Sequence, residues 1–446
     1  MALTGLDIYK LLPKTNCKKC GRPTCLAFAM QLAQKKANLS DCPDVSEDAK
    51  KVLGAAAEPP IKLVTIGSGA KKLEIGQENV LFRHEEKFYH PTGVAVTIND
   101  DLSDEAFSDR LKKLNSLKIS RVGTEIEIDL VAIINKSNNA EKFAEAAKKV
   151  SNGSHLSIIL SSASVDNMKA ALSNCAEKRP LIHGANSQNC EAMAALAKEK
   201  NCPMTVTAPT LEELADLAER AKKTGVGEIV SDVSGNNPKE VLQKLTKVRR
   251  AALKKNFRAL GFPMITFVCD DDPFQEISLA STYLLKYAGI VAVNTCEPWG
   301  IMPLLTTRAN IFTDPQKPIQ VEPKLYAVGD VKEDSPVMFT TNFSLTYYTV
   351  EGEVEGSRVP SYILSVDTGG TSVLTAYSGD KLNDKVVAKA MADAKVETKV
   401  KHRKLIIPGL VAVMSGKLQE TLGWEILVGP REASGLASYL KTVWRA

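Results

Sequence analysis

Four cysteines, Cys17, Cys20, Cys25 and Cys42, fall within the first 42 residues of the chain and read C-K-K-C-G-R-P-T-C, then a 16-residue gap, then D-C-P. A thiolate is a soft ligand, and four of them near one terminus are enough to close a sulfur site for an iron–sulfur cluster or zinc. Structural zinc usually takes two C-x(2–4)-C knuckles, which gives symmetric pairs. Here three cysteines crowd into nine residues and the fourth stands apart, followed by Pro43. That three-plus-one grouping with a terminal Cys-Pro favours a 4Fe–4S cradle. Zinc and a set of unrelated buried thiols are the competing readings. Gly21 allows close backbone approach, and Pro23 and Thr24 set up a helix start at Cys25. Residues 26–36 (LAFAMQLAQKK) read as that helix, whose N-terminal dipole favours a thiolate at Cys25.

Beyond the cysteines, residues 54–60 (GAAAEPP) read as a boundary, because a residue before proline is pushed out of helix. A mixed connector follows, whose Gly67-Ser68-Gly69 reads as a turn. From residue 93 short apolar runs recur at 94–98, 130–134, 156–160, 181–182, 204–206, 228–230, 264–268 and 290–293. Amphipathic stretches of helical length lie between them at 104–114, 140–150, 165–176, 188–200, 211–223, 238–255 and 274–287, with a proline-containing eighth at 300–310. Eight strand–helix units predict a (β/α)8 TIM barrel; an open doubly wound sheet is the alternative. Active sites of such barrels sit on the loops after the strands. The polar residues there are Asn99, Asp100, Asn135, His183, Asp232, Asp270, Asp271 and Asn294. They form no recognisable catalytic set, and each reads as a cap or turn residue, so no catalytic residue is assigned. His155 and His183 have no partner at metal-ligand spacing and read as structural.

From about residue 325 a second α/β unit is expected, with strands at 337–340, 362–366, 405–407 and 425–428 and helices at 371–377, 385–394, 411–422 and 432–444. This alternation predicts a Rossmann-like parallel sheet. Such sheets bind ligands at the carboxyl ends of their strands. Three post-strand loops there, residues 340–348 (TTNFSLTYY), 367–373 (DTGGTSV) and 429–435 (GPREASG), are rich in glycine, alanine and hydroxyls. Small residues let backbone N–H groups approach a large flat or anionic ligand, and three such loops on one edge point to a cofactor. No G-x-G-x-x-G or Walker A motif supports a nucleotide. The expected organisation is α/β throughout: a cluster domain at 1–58, a linker at 59–92, the barrel at 93–324 and a cofactor domain at 325–446.

Composition bounds the function. Of 446 residues, 44% are hydrophobic and 24% charged, which is ordinary for a soluble globular protein. No apolar run reaches the roughly 18 residues of a membrane span, and no secretory pattern opens the chain. The other five cysteines are scattered and the total of nine is odd, which fits a reducing cytoplasm better than a disulfide framework. A formal charge of +5 with no arginine-rich stripe argues against nucleic acid.

Taken together, the cysteine set, the barrel pattern and the stretches TTNFSLTYY, SVDTGGTSVLTAY and WEILVGPREASG resemble the large (gamma) subunit family of the corrinoid iron–sulfur protein, of the bacterial acetogen type, over essentially the whole chain. The resemblance implies a 4Fe–4S cluster on Cys17, Cys20, Cys25 and Cys42. It also implies a corrinoid, a cobalamin-type cofactor, in the C-terminal domain, with contacts from Thr340, Thr346, Gly370, Thr371, Ser372, Val373 and Ala433. Other corrinoid carriers use D-x-H-x-x-G to place a histidine below cobalt; no such motif occurs here, and base-off cobalt follows. The implied role is a methyl carrier of the reductive acetyl-CoA (Wood–Ljungdahl) pathway rather than an independent enzyme. Co(I) takes a methyl group from methyltetrahydrofolate through a separate methyltransferase, and methyl-Co(III) delivers it to acetyl-CoA synthase/CO dehydrogenase. The cluster, fed by a low-potential electron donor, returns Co(II) to Co(I). A barrel-shaped small subunit completes a heterodimer, and the 50–65 boundary is expected to let the cluster domain move. Two other readings compete: a ferredoxin-like electron-transfer subunit on a barrel scaffold, and a folate-binding barrel methyltransferase with carboxylates such as Asp232 or Asp270 at strand ends.

Overall fold

The computed structural model describes residues 5–33, 37, 39–46, 49, 59–121, 124–268, 270–314 and 318–445. The chain divides into two compact units, Met1–Ile119 with Ile126–Phe312, and Ser120–Glu125 with Thr313–Ala446. The first unit opens with α1 (Gly5–Leu11) and α2 (Cys25–Ala33), packed side by side. Ile8, Leu12, Phe28, Ala29 and Val45 form a small core around Cys25 and Cys42. Gly5 permits the close crossing, since a Cβ there would lie 2.2 Å from Met30 Sδ. The helix expected at 26–36 starts at Cys25; positions 34–36, Cys269 and residues 50–58 of the expected hinge lie outside the described residues.

Strands β1 (Val64–Ile66) and β2 (Leu73–Ile75) pair antiparallel, with Val64 opposite Ile75. The eight barrel strands are β3 (Gly93–Asn99), β6 (Leu130–Ile134), β7 (Ser157–Ser161), β8 (Leu181–Ala185), β9 (Met204–Thr207), β10 (Ile229–Asp232), β11 (Met264–Val268) and β12 (Ile290–Val293). All pair in parallel and the sheet closes through β12 and β3. A two-stranded ribbon, β4 (Lys118–Arg121) with β5 (Thr124–Glu127), precedes β6. Helices α3 (Asp104–Asn115), α4 (Ala140–Gly153), α5 (Val165–Leu172), α6 (Cys190–Glu199), α7 (Leu211–Thr224), α8 (Pro238–Lys255), α9 (Pro273–Leu285) and α10 (Pro298–Ile311) follow the strands in turn.

Local chemistry explains these starts. Thr210 and Glu213 close a reciprocal capping box on α7, and Asn237 caps α8 with Pro238 at its first turn. Strand side chains alternate between two apolar layers. Val94, Val96, Val131, Ile133 and Ile158 face the helices. Ala95, Leu130, Ala132, Ile159, Val230 and Ile290 fill the interior, together with Val64, Ile66 and Ile75 of the β1–β2 pair. The segment read as a linker therefore contributes a floor to the barrel. Arg179 fastens it, donating to Thr65 O at 3.0 Å, while Thr65 N donates to Glu228 at 2.8 Å.

In the second unit a five-stranded sheet runs in the order β13-β15-β14-β16-β17, with β13 (Leu325–Val328), β14 (Val337–Thr341), β15 (Ser361–Val366), β16 (Lys404–Ile407) and β17 (Glu425–Val428). Four strands are parallel, and β13 pairs antiparallel with β15 at one edge. Helices α11 (Ser344–Ser357) and α15 (Leu436–Thr442) cover one face around Tyr347, Met338 and Ile406. The other face packs α12 (Val373–Ser378), α13 (Asp384–Asp393) and α14 (Ser415–Leu422) around Phe339, Leu364 and Leu405. Two features depart from the sequence reading. Four-residue β13 (LYAV), apolar but only partly buried, is not among the expected strands and adds an antiparallel edge to the sheet. The TTNFSLTYY stretch, read as a loop, turns helical at Ser344; its threonines and tyrosines are poor helix formers, and packing of buried Tyr347 overrides that propensity.

Candidate functional site

The four N-terminal thiols share one neighbourhood. Cys25 and Cys42 are buried, Cys20 is half-buried and Cys17 is exposed. Burial pushes the Cys42 thiol up; a backbone hydrogen bond at Asp44 opposes this, and Cys20, Cys17 and Cys25 push it further up. Thiols that resist one another's ionisation suit a bound cationic core, which relieves the repulsion. The backbone is shaped to match. Lys14, Asn16, Lys18 and Gly21 all adopt positive φ (59°, 49°, 61° and 74°), winding the loop tightly before α2. Turns of this kind aim successive N–H groups inward, the geometry common at iron–sulfur sites. Asn16 N donates to Cys25 Sγ at 3.4 Å, and Cys17 Sγ lies 3.5 Å from Asp44 Oδ2. A hydrogen bond from Lys19 holds the Asp44 carboxyl below its usual range. Among the described residues, no three His, Cys, Asp or Glu side chains converge on a point for a single ion.

The second site follows from topology. The chain runs from β14 outward to β15, then crosses to the other side of β14 for β16, so the order reverses between β14 and β16. Such a switch point leaves a crevice beyond the carboxyl ends of the two strands. A cavity of about 270 Å³ opens there. Of the seven expected contacts, Thr340, Thr346, Val373 and Ala433 line it, with Met338, Phe339, Ile406 and Ile407 beneath. Gly370, Thr371 and Ser372 sit on the adjoining 367–373 turn and are not among the lining residues. Among the described residues, the hydroxyl of Thr340, only 1% exposed, has no hydrogen-bond partner, and neither has that of Ser365, which lies opposite it in register. Buried hydroxyls without partners are costly, and of these two residues Thr340 is among those that line the cavity.

Sequence reasoning missed the residue that organises this edge. Asn342, fully buried, accepts from Thr368 N (3.0 Å), Thr368 Oγ1 (3.1 Å) and Gly370 N (3.0 Å), and donates to Gln320 and Asp367. It stood inside TTNFSLTYY without a signal, because its partners come from the next strand's loop. Gly409 was also missed: a Cβ there would meet Gly429 O at 2.5 Å, so the loops after β16 and β17 touch backbone to backbone. Around the strand ends Leu345, Leu374 and Val413 stand 65%, 49% and 74% exposed.

Among the described residues, no histidine lines the cavity. His84 stacks on Phe82, His90 meets Gln77, His155 meets Glu127, and His402 bonds to Ser335 O beside Trp444. His183 belongs to the mouth of the barrel, where Ser161 Oγ lies 2.8 Å from its Nδ1 and Asp232 Oδ2 lies 3.0 Å from its Nε2. Thr207 and the Ser234 N–H and hydroxyl occupy the rest of the Asp232 carboxylate. Burial would raise that carboxyl, but His183 and Ser234 together hold it below its usual range. Asp100 accepts from Asn135 and from Ser137 twice; Asn135 in turn accepts from Ser162 and Asn167. Asp270 accepts from Asp272 N and Gln275, and Asn294 from Thr97 and Arg110. The barrel-mouth residues are thus joined into networks whose acceptors are largely used internally. Asn99 lines a separate cavity beside Asn294, and among the described residues no hydrogen bond joins Asp271 to these networks.

The family described as CO dehydrogenase/acetyl-CoA synthase delta subunit matches residues 63–440, and a family described as a putative Fe-S cluster matches residues 12–43, which hold all four cysteines. The chain is similar to the corrinoid/iron-sulfur protein large subunit of Moorella thermoacetica, 45% identical over 441 residues covering 99% of both chains. It is 38% identical over 453 residues, again 99% of both, to the acetyl-CoA decarbonylase/synthase complex subunit gamma of Methanothermobacter thermautotrophicus. Among solved structures, dihydropteroate synthase from Thermus thermophilus aligns with 55% of this chain and 99% of its own, at 14% identity and a TM-score of 0.40. With full-length relatives of this kind, the chain belongs to the family of the corrinoid/iron–sulfur protein large subunit and the acetyl-CoA decarbonylase/synthase gamma subunit.

Proposed function

We propose that the chain is the methyl-carrying subunit of the acetyl-CoA pathway, with a base-off corrinoid in the switch-point cavity and a 4Fe–4S cluster on Cys17, Cys20, Cys25 and Cys42. One observation carries the reading: a cavity with a buried, partnerless Thr340 hydroxyl and no histidine, in a chain that also brings four thiols together. When bound, the corrinoid supplies a nucleophile that accepts and releases a methyl group, and the cluster supplies the electron that restores it after oxidation.

The chain's own residues bind and orient. Thr340 offers a hydrogen bond at the cavity wall, and Val373, Ala433 and the aliphatic side chains of β14 and β16 exclude water. Asn342 holds the 367–373 turn, with Gly370, Thr371 and Ser372, against the strand ends. A wall without imidazole supports cobalt with no protein ligand below it. A lower donor would make reduction to the nucleophilic state harder. The three-plus-one grouping of the cysteines with a terminal Cys-Pro supports a cluster over zinc.

The exposed Leu345, Leu374 and Val413 support a small subunit closing over the site, and the same surface must open to the methyltransferase and to acetyl-CoA synthase/CO dehydrogenase. A cytoplasmic, heterodimeric protein taking electrons from a low-potential donor follows from that role; no helix among the described residues is long and apolar enough to cross a membrane. A folate-binding methyltransferase is disfavoured, because Asp232 and Asp270 spend their carboxylates on neighbouring groups. An electron-transfer scaffold gives the cavity no purpose. The test is an ultraviolet–visible spectrum with cobalt, iron and sulfide analysis of the complex with its small subunit. Corrinoid bands with about one cobalt and four irons per chain support the reading; iron without cobalt refutes it.

A further inference from the structure

The loop between α1 and α2 holds a residue that acts on a cysteine twice. Asn16 Oδ1 accepts the backbone N–H of Cys25 at 2.8 Å, and the backbone N–H of Asn16 donates to Cys25 Sγ at 3.4 Å. Cys25 is the first residue of α2, where the opening N–H groups have no partner within the helix. Thr24 provides a local cap, its Oγ1 accepting from Ala27 N at 3.1 Å. Asn16 provides a second, reaching forward nine positions to the donor that Thr24 leaves open. It does so from a left-handed turn, φ 49°, a conformation that asparagine tolerates better than most residues. The result is a two-point clasp joining the loop of Cys17 and Cys20 to the helix of Cys25.

We propose that Asn16 is a positioning residue for the iron–sulfur cluster: it locks Cys25 in place and, through the N–H···S bond, sets the cluster's reduction potential. The inference rests on the cluster proposed above. Reduction adds one electron to a core already surrounded by thiolates. A hydrogen bond to a thiolate sulfur stabilises the more negative state more strongly, so it raises the potential. The Oδ1 bond to Cys25 N holds the Asn16 N–H against that sulfur; without this anchor the N–H···S bond lengthens and weakens, and the potential falls.

The test uses the anaerobically purified complex of the full chain with its small subunit, with iron and sulfide analysis and a redox titration followed by electron paramagnetic resonance. Asn16→Gly keeps the left-handed turn and the backbone donor but removes the Oδ1 acceptor. Thr24→Ala removes the other cap of the same helix and controls for simple fraying. The expected result for Asn16→Gly is retained iron, an altered resonance and a ratio of reduced to oxidised cluster about tenfold lower at fixed applied potential, or ~59 mV for one electron. Thr24→Ala is expected to change that ratio less than about twofold. An unchanged ratio in Asn16→Gly, or an equal change in Thr24→Ala, overturns the proposal. If Asn16→Gly loses its iron, retention by Asn16→Asp, which keeps the acceptor, supports it, and loss from both overturns it. Iron and sulfide missing from the unmodified complex would instead refute the cluster itself.

Discussion

Replacing Thr340 with valine should move stability and corrinoid affinity in opposite directions. Thr340 is 1% exposed and its hydroxyl has no partner in the ligand-free chain. A buried hydroxyl left unsatisfied costs about 1–3 kcal/mol. Valine keeps the β-branched shape that β14 favours and puts a methyl where the hydroxyl stood. The ligand-free Thr340→Val chain is therefore expected to be about 1–2 kcal/mol more stable in the C-terminal unit. With corrinoid bound, the native hydroxyl gains a partner worth about 0.5–1.5 kcal/mol net, so the variant should bind about 2- to 12-fold more weakly. Urea unfolding of the corrinoid-free chain, monitored by the fluorescence of Trp424 and Trp444 in the C-terminal cores, gives the first quantity. Equilibrium dialysis against hydroxocobalamin gives the second. A variant that is destabilised when empty and binds corrinoid as tightly as the native chain would refute the assignment of Thr340 to the ligand.

Three other outcomes follow from the structure. Asn342→Ala leaves the buried Thr368 and Gly370 N–H groups without their shared acceptor and should cost the C-terminal unit about 3 kcal/mol, with faster proteolysis within 367–373; urea midpoints and mass-mapped digests check both. Asp232, held below the ordinary carboxyl value of 3.8, contributes stability that is complete above that pH and lost as pH falls through its lower folded value. Asp232→Asn should thus be less stable at pH 7 by about 3 kcal/mol or more yet lose less on acidification, and parallel stability–pH curves for the two proteins would contradict this. Burial pushes the thiols of Cys175 and Cys202 up to about 12 and about 11. Iodoacetamide at pH 8 should spare both in the folded chain, Cys175 having about a thousandfold less thiolate than an ordinary cysteine, and peptide mapping reads the result.

Much of the fold is legible because its signals are local. The apolar runs at 130–134, 264–268 and 290–293 coincide with β6, β11 and β12, and the stretch 238–255 coincides with α8, whose Asn-Pro start is a strong cap. β13 escaped although its four residues are apolar, because a short run with no helix after it falls outside the strand–helix alternation and joins the sheet antiparallel at its edge. α11 escaped because its helicity comes from burying Tyr347 against Tyr326 and Tyr348 rather than from propensity. The 64–75 segment looked like a connector because three-residue strands fall below any periodicity signal; its place under the barrel is set by contacts with residues up to about 200 positions away.

By itself, the sequence determined the barrel repeat, the C-terminal parallel sheet, the four thiols and the small-residue loops, since periodicity, capping and ligand spacing are all properties of neighbouring residues. Only the tertiary structure decided which of those residues act together. It left Thr340 and Ser365 without partners beside each other, closed Asn342 onto a loop 25 residues on, and set Asn16 on the thiol of Cys25. It also paired the Asp232 carboxylate with His183 at the mouth of the barrel. The physical reason is that hydrogen-bond satisfaction and burial depend on strand order and loop crossing, which bring distant residues within about 3 Å of one another and leave no periodic trace in the chain.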